Sequence, residues 1–78
     1  MKKKIAILGS TGSIGTQSLE VIRENPDKFQ VEVLTAQSNI SLLTEQAIEF
    51  QPNAVVIGKP ALYTKVAESL EPFGIKVF

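Results

Sequence analysis

The apolar positions of the chain change their spacing in a regular way, and this change predicts alternating strands and helices. Consecutive apolar residues at Ile5–Leu8 and Ala54–Ile57 are typical of parallel strands that are covered on both faces. Between such runs, apolar residues recur every three or four positions. Ile40, Leu43 and Ala47 show this spacing, which is typical of an amphipathic helix. The pattern therefore predicts the element order βαβαβαβ for the whole chain.

Turn-forming residues mark the ends of the predicted elements. Pro26 ends the first helix, Gln51–Asn53 ends the second, and Pro72 and Gly74 precede the last strand. Strands are expected at about Lys4–Leu8, Phe29–Thr35, Ala54–Ile57 and Ile75–Phe78, and helices at about Ser13–Asn25, Ile40–Phe50 and Ala61–Glu71. Right-handed crossovers then predict an α/β fold, a Rossmann-type parallel sheet with helices on both faces.

Glycines separate the first strand from the first helix, at Gly9, Gly12 and Gly15. Strand, glycine-rich turn and helix in this order form the start of a dinucleotide-binding unit. In that interpretation Gly9 permits a sharp turn and Gly12 lets the backbone approach a pyrophosphate. Gly15 shares a helical face with Leu19, so its missing side chain lets the helix lie close to the sheet. Unpaired amides over Thr11–Ile14 are then expected to point at the anion.

The glycine spacing by itself leaves an alternative open. It is G-x-x-G-x-x-G rather than the G-x-G-x-x-G of the common NAD fingerprint, so a different loop shape is expected. A strand-to-helix turn that binds no ligand would show the same residues. A P-loop is excluded, because no Gly-Lys-Ser/Thr follows the glycines.

Composition narrows the function classes further. The chain has 78 residues, enough for one small unit, with 8 basic and 8 acidic residues, so no basic field for nucleic acid is expected. It has no cysteine and no histidine, which removes disulfides, thiolate zinc sites and the commonest general base. No segment is long enough to span a membrane, and the lysines of Lys2–Lys4 are interpreted as a solvated start to the first strand.

The end of the second predicted strand bears on the choice of dinucleotide. In NAD-binding units an acidic residue about 20 residues past the glycines holds the ribose 2′-hydroxyl. The corresponding segment, Thr35–Asn39, contains no acidic residue and no arginine. Because a carboxylate would repel a 2′-phosphate, its absence favours NADP. Ser38 and Asn39 offer neutral hydrogen bonds to such a phosphate, whereas in the alternative Asn39 only caps the second helix.

Several segments resemble the N-terminal part of the 1-deoxy-D-xylulose 5-phosphate reductoisomerase family. The most specific is the Gly-Ser-Thr-Gly-Ser-Ile-Gly run within Ile7–Thr16, followed by the Asn-Pro and Phe of Glu20–Phe29. The resemblance continues through Leu34–Asn39, Glu45–Ala47 and Phe50–Pro52, and so covers essentially the whole chain. It implies an N-terminal NADP-binding Rossmann fragment, residues 1–78, of a longer enzyme whose catalytic and C-terminal domains are absent from this chain.

The resemblance also implies site residues and a cofactor, NADPH. The residues that match the pyrophosphate-binding turn of the family are Thr11, Gly12, Ser13 and Ile14. Asn39 matches the asparagine near the adenosine 2′-phosphate. The two residues before it often read Gly-Lys or Gly-Arg in the family, whereas here they are Gln37 and Ser38, so Ser38 would be a neutral substitute for the cation.

For the intact enzyme, the resemblance implies conversion of 1-deoxy-D-xylulose 5-phosphate to 2-C-methyl-D-erythritol 4-phosphate in non-mevalonate isoprenoid biosynthesis. A divalent metal, Mg or Mn, a phosphorylated sugar substrate, a cytoplasmic location and a homodimer are implied with it. The catalytic and metal-binding residues of the family lie beyond Phe78, so none is assigned here. On the residues alone, two alternatives stay open. One is the Rossmann unit of another NADP-dependent reductase, of the semialdehyde dehydrogenase or dihydrodipicolinate reductase type, and the other is a non-catalytic nucleotide-binding module.

Overall fold

The computed structural model of the chain describes residues 2–78, in which strands and helices alternate. Strands β1 to β4 span Lys3–Ile7, Phe29–Ala36, Ala54–Ile57 and Lys76–Val77, and helices α1 to α3 span Ser13–Glu24, Ile40–Phe50 and Tyr63–Leu70. The predicted order is confirmed. The predicted third helix is shorter than expected, because its proline-containing ends form the 3₁₀ turns Pro60–Leu62 and Glu71–Phe73. Within residues 2–78, no helix combines the length and the apolar character that crossing a membrane requires.

The sheet is parallel throughout, in the order β1-β2-β3-β4. Ile5 pairs with Val31 and Ala6 pairs with Val33, so the intervening Glu32 is an extra residue in β2 and forms a β-bulge. An extra residue moves the side chains that follow to the opposite face. This shift places Val31 and Leu34 on the same face of the sheet, where both are buried, although they lie three positions apart in the sequence.

The fold class, a Rossmann-type parallel α/β sheet, is confirmed, but the prediction of helices on both faces is wrong within residues 2–78. Each strand is added beside the previous one in the same direction, and right-handed connections then place all three helices on one face. The burial of β3 agrees, because Val55 and Ile57 are buried whereas Val56 between them is 36% exposed. On the other face Ala6 of β1 is exposed as well.

The core lies between the sheet and the three helices. Leu34 of β2 and Val55 of β3 are neighbours in the sheet, and both are fully buried. Leu43 of α2 and Leu70 of α3 are also fully buried in this core. Because all strands are parallel, the loops that follow β1, β2 and β3 lie at one edge of the sheet, and this edge carries the glycine-rich turn.

Candidate functional site

The glycine-rich turn is attached to the end of β2 by its backbone. The N–H of Gly9 donates to Oγ1 of Thr35 at 2.9 Å, and the N–H of Ser10 donates to the carbonyl oxygen of Thr35 at 2.8 Å. Gly9 has a φ of +71°, in the left-handed region that favours glycine. The sharp turn predicted at Gly9 is confirmed, and the turn has a fixed position relative to the sheet.

The amides at the start of α1 differ in one respect from the prediction. The N–H of Gly12 donates to the carbonyl oxygen of Gly9 at 3.1 Å, so it is used inside the turn. The N–H groups of Thr11, Ser13 and Ile14 have no hydrogen-bond acceptor within residues 2–78. No side chain caps the helix, whose N-cap residue is Gly12, and no acidic residue lies in its first turn. The unpaired donors and the positive end of the helix dipole together suit an anion.

Gly12 and Gly15 have different surroundings. A Cβ atom on Gly12 would have the Gly9 carbonyl oxygen at 3.5 Å as its only near neighbour, which is an ordinary contact. A Cβ atom on Gly15 would overlap that same oxygen and would lie 2.7 Å from Cα of Ser10. The close approach predicted at Gly15 is therefore present, although it is made to the turn rather than to the strands. The protein itself leaves room for a Cβ atom at Gly12.

A buried polar contact, which the sequence analysis missed, connects the turn to α2. Ser10 Oγ donates to Oε1 of Gln46 at 2.7 Å, and Nε2 of Gln46 donates to the carbonyl oxygen of Ser10 at 2.8 Å. Ser10 is completely buried and Gln46 is 6% exposed. Gln46 lies three residues after the core residue Leu43 and therefore on the same helical face. This spacing was the available signal that Gln46 is buried.

The loop after β2 carries the residues predicted to meet a 2′-phosphate. Oδ1 of Asn39 accepts a hydrogen bond from the N–H of Leu42 at 3.3 Å, so the predicted N-cap of α2 is confirmed. The Nδ2 of Asn39 has no hydrogen-bond acceptor in the part of the chain that the structure describes. Ser38 and Asn39 are both exposed. Capping therefore leaves the amide nitrogen of Asn39 free to donate to a ligand.

The loop after β3 brings a cation next to this segment. The N–H of Lys59 donates to the carbonyl oxygen of Gln37 at 3.2 Å, and the N–H of Gly58 donates to that of Ala36 at 2.8 Å. The side chain of Gln37 lies over Gly58, where a Cβ atom would come within 2.7 Å of its Cδ. Lys59 follows β3 rather than β2, so the sequence pattern around Thr35–Asn39 does not predict it.

An ion pair joins α1 to α2 at the end of α1 that is opposite the glycine-rich turn. Arg23, in the last turn of α1, forms an exposed ion pair with Glu49 of α2, and this contact lowers the pKa of Glu49 and raises that of Arg23. Arg23 therefore lies at the end of α1 opposite the unpaired amides. In residues 2–78, no three His, Cys, Asp or Glu side chains come together as a group that could hold a metal ion.

The chain was compared with known proteins. The family model of 1-deoxy-D-xylulose 5-phosphate reductoisomerase matches residues 5–78. The reductoisomerase of Phocaeicola vulgatus is 54% identical over 78 residues, which is 100% of this chain and 20% of that protein. The chloroplastic enzyme of Mentha piperita is 45% identical over 91% of this chain and 15% of its own length.

The comparison of structures gives the same family. The reductoisomerase from Zymomonas mobilis in complex with NADPH superimposes with a TM-score of 0.94 and 34% identity, over 99% of this chain and 20% of that one. A second reductoisomerase, in complex with NADPH, fosmidomycin and magnesium, has a TM-score of 0.91 and 29% identity, over 97% of this chain and 19% of that one. The chain spans about one fifth of the length of the relatives it matches. It belongs to the 1-deoxy-D-xylulose 5-phosphate reductoisomerase family.

Proposed function

We propose that this chain is the NADPH-binding N-terminal portion of a 1-deoxy-D-xylulose 5-phosphate reductoisomerase. One observation carries the proposal: the N–H groups of Thr11, just before α1, and of Ser13 and Ile14, in its first turn, are unpaired, and no side chain caps the helix. A pyrophosphate supplies the acceptors and the negative charge that such a helix end lacks. The family relationship supports it, since the superimposed relative from Zymomonas mobilis is in complex with NADPH.

In this proposal the cofactor lies along the edge formed by the loops after β1, β2 and β3. The amides of Thr11, Ser13 and Ile14 donate to the pyrophosphate, and Gly12 lets it approach because no side chain intervenes. Ser38 and Asn39 then bind the 2′-phosphate, with neutral donors from a hydroxyl and from the free Nδ2. The charge of Lys59, in the adjacent loop, favours the phosphorylated cofactor over NADH.

The activity of the whole protein is part of the same proposal. The intact protein, meaning this chain within the full length of its family, converts 1-deoxy-D-xylulose 5-phosphate to 2-C-methyl-D-erythritol 4-phosphate. NADPH, when bound, supplies the hydride for the reduction. A magnesium or manganese ion and the sugar phosphate are bound by residues outside this chain. The intact protein is a cytoplasmic homodimer, and residues 1–78 are one part of its cofactor domain.

The direct test is a spectrophotometric assay of the intact protein with 1-deoxy-D-xylulose 5-phosphate and magnesium. We expect loss of NADPH absorbance and formation of 2-C-methyl-D-erythritol 4-phosphate, with a much slower reaction when NADH replaces NADPH. Omitting the sugar phosphate is the control for background oxidation of the cofactor. Tight NADPH binding without turnover of this substrate would leave a nucleotide-binding role and refute the reductoisomerase activity.

A further inference from the structure

We propose that Gln46 is a positioning residue for the cofactor, because it fixes the orientation of the peptide group between Ser10 and Thr11. This inference rests on the proposed function, since the ligand concerned is the pyrophosphate of NADPH. Gln46 belongs to α2 and its two hydrogen bonds are both to Ser10, so it accepts none from the N–H groups of Thr11, Ser13 and Ile14. It acts instead through Ser10, the residue immediately before the first of them.

The planarity of the peptide bond carries the argument. Residues 2–78 contain no cis peptide bond, so the carbonyl of Ser10 and the N–H of Thr11 point in opposite directions. Nε2 of Gln46 donates to that carbonyl at 2.8 Å, in a buried contact that holds the oxygen toward α2. The N–H of Thr11 must then point away from α2. It finds no acceptor within the described chain and is left to a ligand at the open edge of the sheet.

The second hydrogen bond fixes which way the Gln46 amide faces. The carbonyl of Ser10 can only accept, so the nitrogen of the amide must lie toward it, and Oε1 is left to accept from Ser10 Oγ at 2.7 Å. The two hydrogen bonds thus join the side-chain amide of Gln46 to both the hydroxyl and the carbonyl of Ser10. With Gln46 6% exposed and Ser10 completely buried, water has little access to compete for either bond.

Packing alone does not explain a glutamine at this position. Leu43 and Ala47, its neighbours on the buried face of α2, are completely buried and apolar. An apolar side chain of similar length would fill the space without burying an amide, which is unfavourable unless both of its polar atoms are paired. What the amide adds is a defined orientation of the Ser10 carbonyl, and through it of the Thr11 N–H.

The test uses the intact protein with two variants that remove different parts of the pair. Gln46→Met keeps the length of the side chain but removes both hydrogen bonds, so the Ser10–Thr11 peptide becomes free to rotate. Ser10→Ala is the matched control, because it removes only the hydroxyl contact and leaves the bond from Nε2 to the carbonyl. NADPH dissociation constants, thermal unfolding, and the kcat and KM for each substrate would be measured for all three proteins.

The expected result separates cofactor binding from stability. Both variants lower the Tm, but Gln46→Met weakens NADPH binding by roughly tenfold, the equivalent of one lost hydrogen bond to a charged group, whereas Ser10→Ala changes it by less than about twofold. In steady state, Gln46→Met raises the KM for NADPH and leaves the KM for the sugar phosphate near the wild-type value. Equal NADPH affinity in Gln46→Met and Ser10→Ala would overturn the positioning role. Failure of the wild-type protein to bind NADPH would instead overturn the proposed function, and this inference with it.

Amide hydrogen exchange of the wild-type protein tests the same geometry without any variant, including the case in which Gln46→Met fails to fold. Without cofactor, the N–H of Thr11 should exchange quickly, whereas that of Ser10 should be protected by its bond to the carbonyl of Thr35. Addition of NADPH should slow the exchange of Thr11. Protection of the Thr11 amide before NADPH is added would contradict the inference, because the donor would already be paired.

Discussion

Gly15 of α1 packs against the carbonyl oxygen of Gly9 so closely that a Cβ atom at position 15 would overlap that oxygen. The contact joins the helix to the same turn that presents the unpaired amides. Gly12 faces the same oxygen, but a Cβ atom there would lie 3.5 Å away, at an ordinary contact distance. Gly12 and Gly15 are therefore glycines for different physical reasons, and substitutions at the two positions should have different effects.

Replacing Gly15 by alanine should destabilise the protein. Alanine in a helix interior gains up to about 1 kcal/mol over glycine, but the added Cβ would lie 2.7 Å from Cα of Ser10, and the backbone must move to accept it. Overpacking of this kind costs about 1–3 kcal/mol, so a net loss of stability is expected. Chemical denaturation of the intact protein measures it. Gly12→Ala is the control and should unfold near the wild-type midpoint, and a Gly15→Ala protein of equal stability would refute the packing role.

A carboxylate at position 38 should shift the cofactor preference toward NADH. Two like charges about 4 Å apart repel each other by about 1 kcal/mol in bulk water and by about 4 kcal/mol near a protein surface. Ser38→Asp should thus lower the NADPH/NADH affinity ratio by about fivefold or more. Ser38→Asn, which has nearly the same shape as Ser38→Asp without the charge, is the control. Ser38→Arg should change the ratio in the opposite direction. An unchanged ratio in Ser38→Asp would mean that the 2′-phosphate binds elsewhere.

Removal of the Lys59 charge should weaken NADPH more than NADH. The N–H of Lys59 donates a hydrogen bond to the carbonyl of Gln37, the residue before Ser38, so we expect its flexible side chain to approach a phosphate bound at Ser38 and Asn39. Lys59→Gln should cost about 1 kcal/mol of NADPH binding at low salt, and the loss should shrink as added salt screens the charge. Titrations at two ionic strengths measure this effect. Lys28→Gln removes an equal charge before β2, at the opposite edge of the sheet, and should have no such effect.

Much of the fold could be predicted because it depends on local signals. The bounds of α2 and β3 follow from apolar spacing and from turn residues such as Pro52, and the structure has both elements where the sequence predicts them. The bulge at Glu32 could not be predicted, because it depends on pairing between β1 and β2 rather than on the residues of either strand. Placement of helices on one face likewise depends on the order of strands in the sheet, which local patterns do not determine.

For the candidate site, the residues of the turn were predictable and the contacts that support it were not. The spacing of glycines identifies Gly9, Gly12 and Gly15 because their backbone requirements are local. Gln46 lies 36 positions after Ser10, so its helical spacing predicts a buried position but not its partner. Lys59 follows a different strand from Gln37, so local patterns do not predict their contact. The hydrogen bond from the Gly12 N–H to the Gly9 carbonyl oxygen could not be predicted either, because it depends on how tightly the turn closes.

The most direct test of the central claim, that the turn after β1 receives the pyrophosphate of NADPH, is the affinity of the Gly12→Val protein for NADPH. A Cβ atom at position 12 has room within the protein, since only the Gly9 oxygen lies near, and the branched side chain of valine would stand where the cofactor must approach. Isothermal titration of the intact protein should detect no NADPH binding to Gly12→Val, while its circular dichroism and Tm stay close to the wild type. Wild-type NADPH affinity in a folded Gly12→Val protein would contradict the claim.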